Sequence, residues 1–162
     1  MSSKSSVLKW FLILLVSAGL ILQLIRPART VSHGISGKDI LKVYPVPGKV
    51  YESLRRSCYD CHSSETVYPW YSQIQPVGWW LQDHIDEGKR ALNFSDFASY
   101  SVKKQRRKLD EMIEMVKGEQ MPLPSYLWIH RDARLNPDQR KIMIEWARSI
   151  RKELASKESS AS

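Results

Sequence analysis

The sequence predicts an all-α chain, with one apolar amino-terminal helix followed by a small helical domain. Three observations underlie this. From Trp10 to Ile25 only Ser17 and Gln23 are polar. Apolar residues then recur at helical spacing in three stretches: Val50, Leu54 and Cys58; Leu109, Met112, Ile113 and Val116; Ile142, Trp146 and Ile150. No strand-like alternation surrounds the two cysteines, Cys58 and Cys61. At 162 residues, 43% of them hydrophobic, the chain suffices for one domain with a small core plus an appendage.

The apolar run from Trp10 would be roughly 24 Å long as a helix, or roughly 28 Å counted from Val7 with Lys9 snorkelling. That is just enough to span a bilayer. No A-x-A-like cleavage site occurs in Arg26–Thr30, and no cysteine is there for lipidation. The segment 1–25 therefore reads as an uncleaved membrane anchor. Lys4 and Lys9 before it are balanced by Arg26 and Arg29 after it, so charge does not set its orientation. Residues 26–48 are punctuated by Pro27, Gly34, Gly37, Pro45, Pro47 and Gly48 and read as a tether with a solvated His33. A short strand or turn is expected near 40–46.

The domain is expected over 49–154. Lys49–Cys58 has the spacing of a helix, broken by Ser63–Thr66. Val67–Trp80 is an aromatic segment in which Pro69 and Pro76 start helical turns. A helix follows from Val77 to about Leu92, with Trp80, Leu81, His84 and Ile85 on its apolar side. Asn93–Phe97 reads as a turn anchored by two phenylalanines. The helix from about Ser101 to Lys117 turns Lys103, Lys104, Arg106, Arg107 and Lys108 to water, and Gly118 is its expected stop. Asn136 as N-cap, Pro137 and Gln139 signal the last helix. The Ser-, Lys- and Glu-rich tail, 155–162, reads as frayed.

The chemistry centres on Cys58-Tyr59-Asp60-Cys61-His62, a C-x-x-C-H motif, the attachment signature of c-type haem. Two thiols on one side of a helical turn reach both vinyl groups of one porphyrin edge. The next residue, His62, then offers an imidazole to the iron. A redox dithiol needs a βαβ context, and a structural zinc site needs four ligands; the chain has no third cysteine. Met121, in the loop Glu119–Pro124 between two helices, is the expected second axial ligand, stiffened by Pro122. His84 and His130 are the alternatives, in that order. Trp70 and Trp80 are read as walls of the haem pocket, able to offer an N–H to a propionate.

The formal charge of +8 comes without a P-loop, zinc finger or RNA-binding signature, so no nucleic-acid partner is expected. A basic face suits an acidic redox partner or anionic lipid headgroups.

Several blocks fall in the order of a known family. Ser57–Ser63, Tyr68-Pro69-Trp70-Tyr71-Ser72, Pro76, Trp79-Trp80, His84, Gly88, Leu92–Ser95, Met121–Tyr126 and Ile129-His130 resemble the bacterial haem-binding domain family, over about residues 45–150. The resemblance implies one covalent haem c with its iron, and a cytochrome c-like helical domain in which the last helix crosses the motif helix. It also implies frequent membrane anchoring. The resulting expectation is a one-electron carrier rather than a catalyst. It would be held by a single pass in the bacterial cytoplasmic membrane, with its haem domain and its redox partner on the periplasmic side, where c-type haem is attached. A haem-based sensor or peroxidase-like enzyme with an open distal site is the alternative.

Overall fold

The computed structural model describes residues 2–160, and every regular element among them is helical. The first residue of the predicted 1–25 anchor and the last two of the 155–162 tail lie outside the described residues. The chain divides into two compact units. One holds the residues up to Arg29 together with Tyr68–His84; the other holds Thr30–Val67 and the chain from Ile85 onward.

In the first unit, α1 (Ser2–Leu22) ends three residues before the predicted limit of the apolar run. Gln23 explains the stop. Its amide donates to the Gly19 carbonyl at 3.1 Å and to the Gln75 carbonyl at 3.1 Å, and accepts from the Gln75 N–H at 2.8 Å. The apolar part of α1, Val7–Leu22, measures roughly 24 Å against a hydrocarbon core of roughly 30 Å. Among the described residues no helix is long and apolar enough to cross a membrane, which corrects the expectation of a complete span. Arg26 donates to Gln73 Oε1 at 2.9 Å, Arg29 to the Ser72 carbonyl at 2.8 Å, and Trp79 Nε1 to the Ile25 carbonyl at 2.8 Å. Residues 26–29 are thus tied down rather than forming a loose tether.

The second unit carries the core. In α6 (Val102–Lys117) the buried Leu109, Met112, Ile113 and Val116 recur at i, i+3, i+4 and i+7, the stripe of a half-buried helix. They meet Met143, Trp146, Ala147, Ile150 and Leu154 of α8 (Pro137–Ser160), which follows the single turn α7 (Pro124–Leu127). The start of α8 is a reciprocal capping box. Asn136 Oδ1 accepts from the Gln139 N–H at 2.8 Å, and Gln139 Oε1 accepts from the Asn136 N–H at 2.9 Å. The helix persists through residues predicted to fray, continuing to Ser160. There, Arg106 of α6 pairs with Glu158, and Lys157 with Glu153.

The predicted linker is also corrected in this unit. Asp39 and Ile40 are fully buried, and α2 (Ile40–Val43) is a single helical turn capped by the Asp39 carboxylate. Tyr44 donates to Gln105 Oε1 at 2.9 Å, and Trp146 Nε1 to the Pro45 carbonyl at 3.0 Å. Irregular backbone is tolerated in the interior here because side chains supply its hydrogen bonds. α3 (Gly48–Ser57) buries Val50, Ser53 and Leu54 and packs on α8.

Candidate functional site

The C-x-x-C-H motif does not ride on the last turn of α3 as expected. At Cys58 the backbone leaves helical geometry, with φ −130° and ψ −40°, and a separate turn, α4 (Tyr59–His62), follows. The Cys58 carbonyl accepts from both the Cys61 and His62 N–H groups, at 3.2 and 2.9 Å. Both cysteines and the histidine are thereby drawn around one tight turn. α5 (Val77–Ala91) closes on this turn through Gly88. A Cβ there would lie 2.6 Å from the Cys61 carbonyl oxygen and 3.2 Å from Cys61 Cβ, so only glycine allows the approach.

His62 is set by its second nitrogen. Nδ1 lies 3.0 Å from the Leu92 carbonyl. A carbonyl oxygen only accepts, so Nδ1 carries the proton and Nε2 keeps its lone pair for another partner. Burial holds the imidazole pKa below its ordinary value, against the opposing pull of backbone contacts to Leu92 and Gly88. The neutral ring required of a metal ligand is thus favoured. Phe94 stands edge-on to His62, 6.2 Å between centroids, and stacks on Tyr59 at 5.3 Å with planes 6° apart. Tyr59 donates to the buried Asp39 carboxylate at 2.6 Å, and Ser95 Oγ to its other oxygen at 3.2 Å.

Both thiols are free. Burial, then the neighbouring Cys61, pushes Cys58 up to about 12; burial, then Asp60, pushes Cys61 up to about 11. A redox dithiol is built in the opposite sense, with a lowered thiol pKa. Among the described residues no group of three or more His, Cys, Asp or Glu is arranged to hold a metal ion by itself.

A cavity of about 290 Å³ lies against the motif, walled by Cys58, His62, Leu92, Phe94 and five α6 side chains among others, and by Met121. Its volume is at the lower end of ligand pockets, roughly 300–1,000 Å³. A larger, shallower groove of about 880 Å³, between Pro45–Val50 and α8, has no thiol, imidazole or thioether in its walls.

Met121 owes its place to the end of α6. The Gln120 N–H reaches the Met115 carbonyl at 3.0 Å and the Glu119 N–H the Val116 carbonyl at 3.3 Å, the two bonds of a Schellman closure. The left-handed position of this closure is held by Glu119, with φ 57°, not by Gly118, which the sequence suggested as the stop. The Met121 N–H joins on the same Met115 carbonyl at 3.3 Å. Arg140 of α8 pairs with the Glu119 carboxylate at 2.8 Å.

Of the sequence-predicted residues, Cys58, His62 and Met121 meet at this cavity, while Cys61 lies behind, against Gly88. Trp70, Trp80 and His84 belong to the first unit and are not among the cavity walls. Trp70 is 77% exposed and Trp80 49%. The His84 ring lies 4.4 Å from that of Trp80, with Nδ1 2.9 Å from the Trp80 carbonyl. His130 stacks on Tyr126 at 4.2 Å, outside the cavity walls, and Tyr126 donates to Asp60 Oδ2 at 2.9 Å.

Met112, Met115, Lys108 and Glu111 line the cavity without having been singled out for it. The basic run puts Lys108 on the wet face, yet its side chain is 11% exposed and pairs with Glu111 at 2.6 Å. The signal was present in the spacing, since Lys108, Met112 and Met115 fall on one helical face. The donor set fits a haem. An imidazole with Nε2 uncommitted, a thiol and a thioether face a largely apolar space. No curated protein and no solved structure matches the chain. The family model described as a haem-binding domain matches residues 17–149, and the chain belongs to that family.

Proposed function

We propose that the chain carries one covalently attached haem c and transfers single electrons at the outer face of a membrane. The observation that carries this is the His62 ring. Its Nδ1 proton is committed to Leu92, so Nε2 is available in the same cavity that Cys58 and Met121 line. Cys58 and Cys61 would hold the haem by thioethers, each thiol S–H adding across one vinyl group, sulfur to one carbon and hydrogen to the other. When bound, the iron supplies the one-electron change. The chain's own residues would orient the His62 imidazole, exclude water and offer the Met121 thioether to the iron. The Met121 thioether at the cavity supports the carrier over a haem-based sensor or peroxidase-like enzyme with an open distal site.

α1 associates with the bilayer and the haem-bearing residues face the periplasm, where the thioethers are made. An acidic redox partner suits the formal charge of +8.

A haem stain surviving denaturing electrophoresis tests attachment, and its persistence after Cys58→Ala and Cys61→Ala together would end the proposal. Wild type is expected to show a six-coordinate low-spin spectrum with a sulfur-to-iron band at the red end. Met121→Ala removes that band and lowers the potential, whereas Met115→Ala and His84→Ala keep both. Retention of the band in Met121→Ala would assign the thioether elsewhere.

A further inference from the structure

We propose that Trp70, Ile74, Val77 and Trp80 form a collar seated in the headgroup layer of a lipid bilayer, beside the carboxy-terminal end of α1. The inference rests on α1 being embedded in lipid, and it assigns a role to aromatic residues that do not wall the cavity.

The occupant follows from the shape of the apolar surface. Leu12, Ile13, Leu14, Leu15 and Val16 are consecutive and all exposed. Consecutive helical residues are about 100° apart, so these five cover the whole circumference. A protein groove or a second copy covers one face of a helix; lipid covers every face. Among the described residues no helix is long and apolar enough to cross alone. Leu24 and Ile25, just past its end, are also exposed.

At that end the 69–79 segment is fastened on. The Gln23–Gln75 pair, Arg26 to Gln73, Arg29 to Ser72 and Trp79 to the Ile25 carbonyl leave the two pieces no slack. Ile74 and Val77 are exposed here together with Trp70 and Trp80. Tryptophan, an apolar body with one N–H, prefers the membrane–water boundary. The unit's charge agrees: Lys4, Lys9, Arg26 and Arg29 stand against Asp83 alone, a balance suited to anionic headgroups.

The test is hydroxyl-radical footprinting of the purified full chain in phosphatidylcholine–phosphatidylglycerol vesicles, at no more than one chain per vesicle, read by mass spectrometry. Only lipid can then shield a side chain that is exposed in the protein. Trp128 is the solvent control, being 77% exposed like Trp70, and Trp10 reports α1. Trp70 and Trp80 are expected to oxidise at least about fivefold more slowly than Trp128, with Trp10 protected as well. If Trp10 is protected but Trp70 and Trp80 oxidise as fast as Trp128, the collar is wrong and α1 remains embedded. If all four oxidise alike, α1 is not embedded and the collar falls with it.

Discussion

Asp39 and Tyr59 show how one residue pair braces the motif. A fully buried carboxylate accepts the Tyr59 hydroxyl at 2.6 Å, and the same ring stacks on Phe94, which stands against His62. Burial first, then the Asp39 hydrogen bond and charge, push the Tyr59 phenol far above its ordinary value. A raised phenol stays protonated in the folded state while the unfolded chain ionises, so stability is fully present below about pH 10 and declines above it. Tyr59→Phe leaves a buried carboxylate with fewer donors and should cost roughly 1–3 kcal/mol at neutral pH. Denaturant unfolding from pH 8 to pH 11 should show the gap between wild type and variant narrowing as pH rises. A gap that holds constant would mean the hydroxyl is not buried against Asp39. None of this pairing could be read beforehand, because Asp39 lies in a stretch rich in turn residues and its partner is 20 positions away. Cys58, Cys61 and His62 were legible because their spacing is itself the chemistry.

Among the elements, α6 and α8 followed from periodicity and capping chemistry, both properties of neighbouring residues. The end of α6 did not. Glycine is the usual occupant of a left-handed closing position, yet Gly118 is the residue before it and Glu119 takes it. A non-glycine there costs about 1–2 kcal/mol, offset in part by the exposed pair with Arg140. α5 needs the glycine at 88 for a different reason, the 2.6 Å approach that any Cβ there would make to the Cys61 carbonyl. The close neighbour is backbone and cannot swing aside. Gly88→Ala should therefore destabilise by roughly 1–3 kcal/mol, even though alanine is the better helix former. Thermal unfolding would decide it; a rise in melting temperature would mean that α5 and the motif are not in close contact.

At the scale of the whole molecule, the charge of +8 is a statement about encounters. With the proposed haem in place, oxidation by a small anionic reagent such as ferricyanide should slow several-fold between about 10 mM and about 200 mM salt, and oxidation by a cationic reagent should quicken. Stopped-flow rates independent of salt would show that the charge does not reach the electron-transfer edge. The all-helical class was legible from spacing alone, but the division into units was not. Residues 68–84 group with a stretch more than 40 positions earlier, through side-chain amides and arginines of residues 23–29 that carry no periodic signal. The aromatic segment is distinctive in composition, and composition does not say which surface its rings will face.

The pairing of Gln23 with Gln75 also has a mechanical side. Two amide hydrogen bonds, donor to acceptor in both directions, join the end of α1 to a segment 52 positions away. A pull or twist on the helix is therefore borne by paired bonds loaded together, with Arg26, Arg29 and Trp79 sharing it. A flexible leash would absorb such a load by uncoiling. This joint passes it on, so a load on the apolar helix reaches the tryptophan segment.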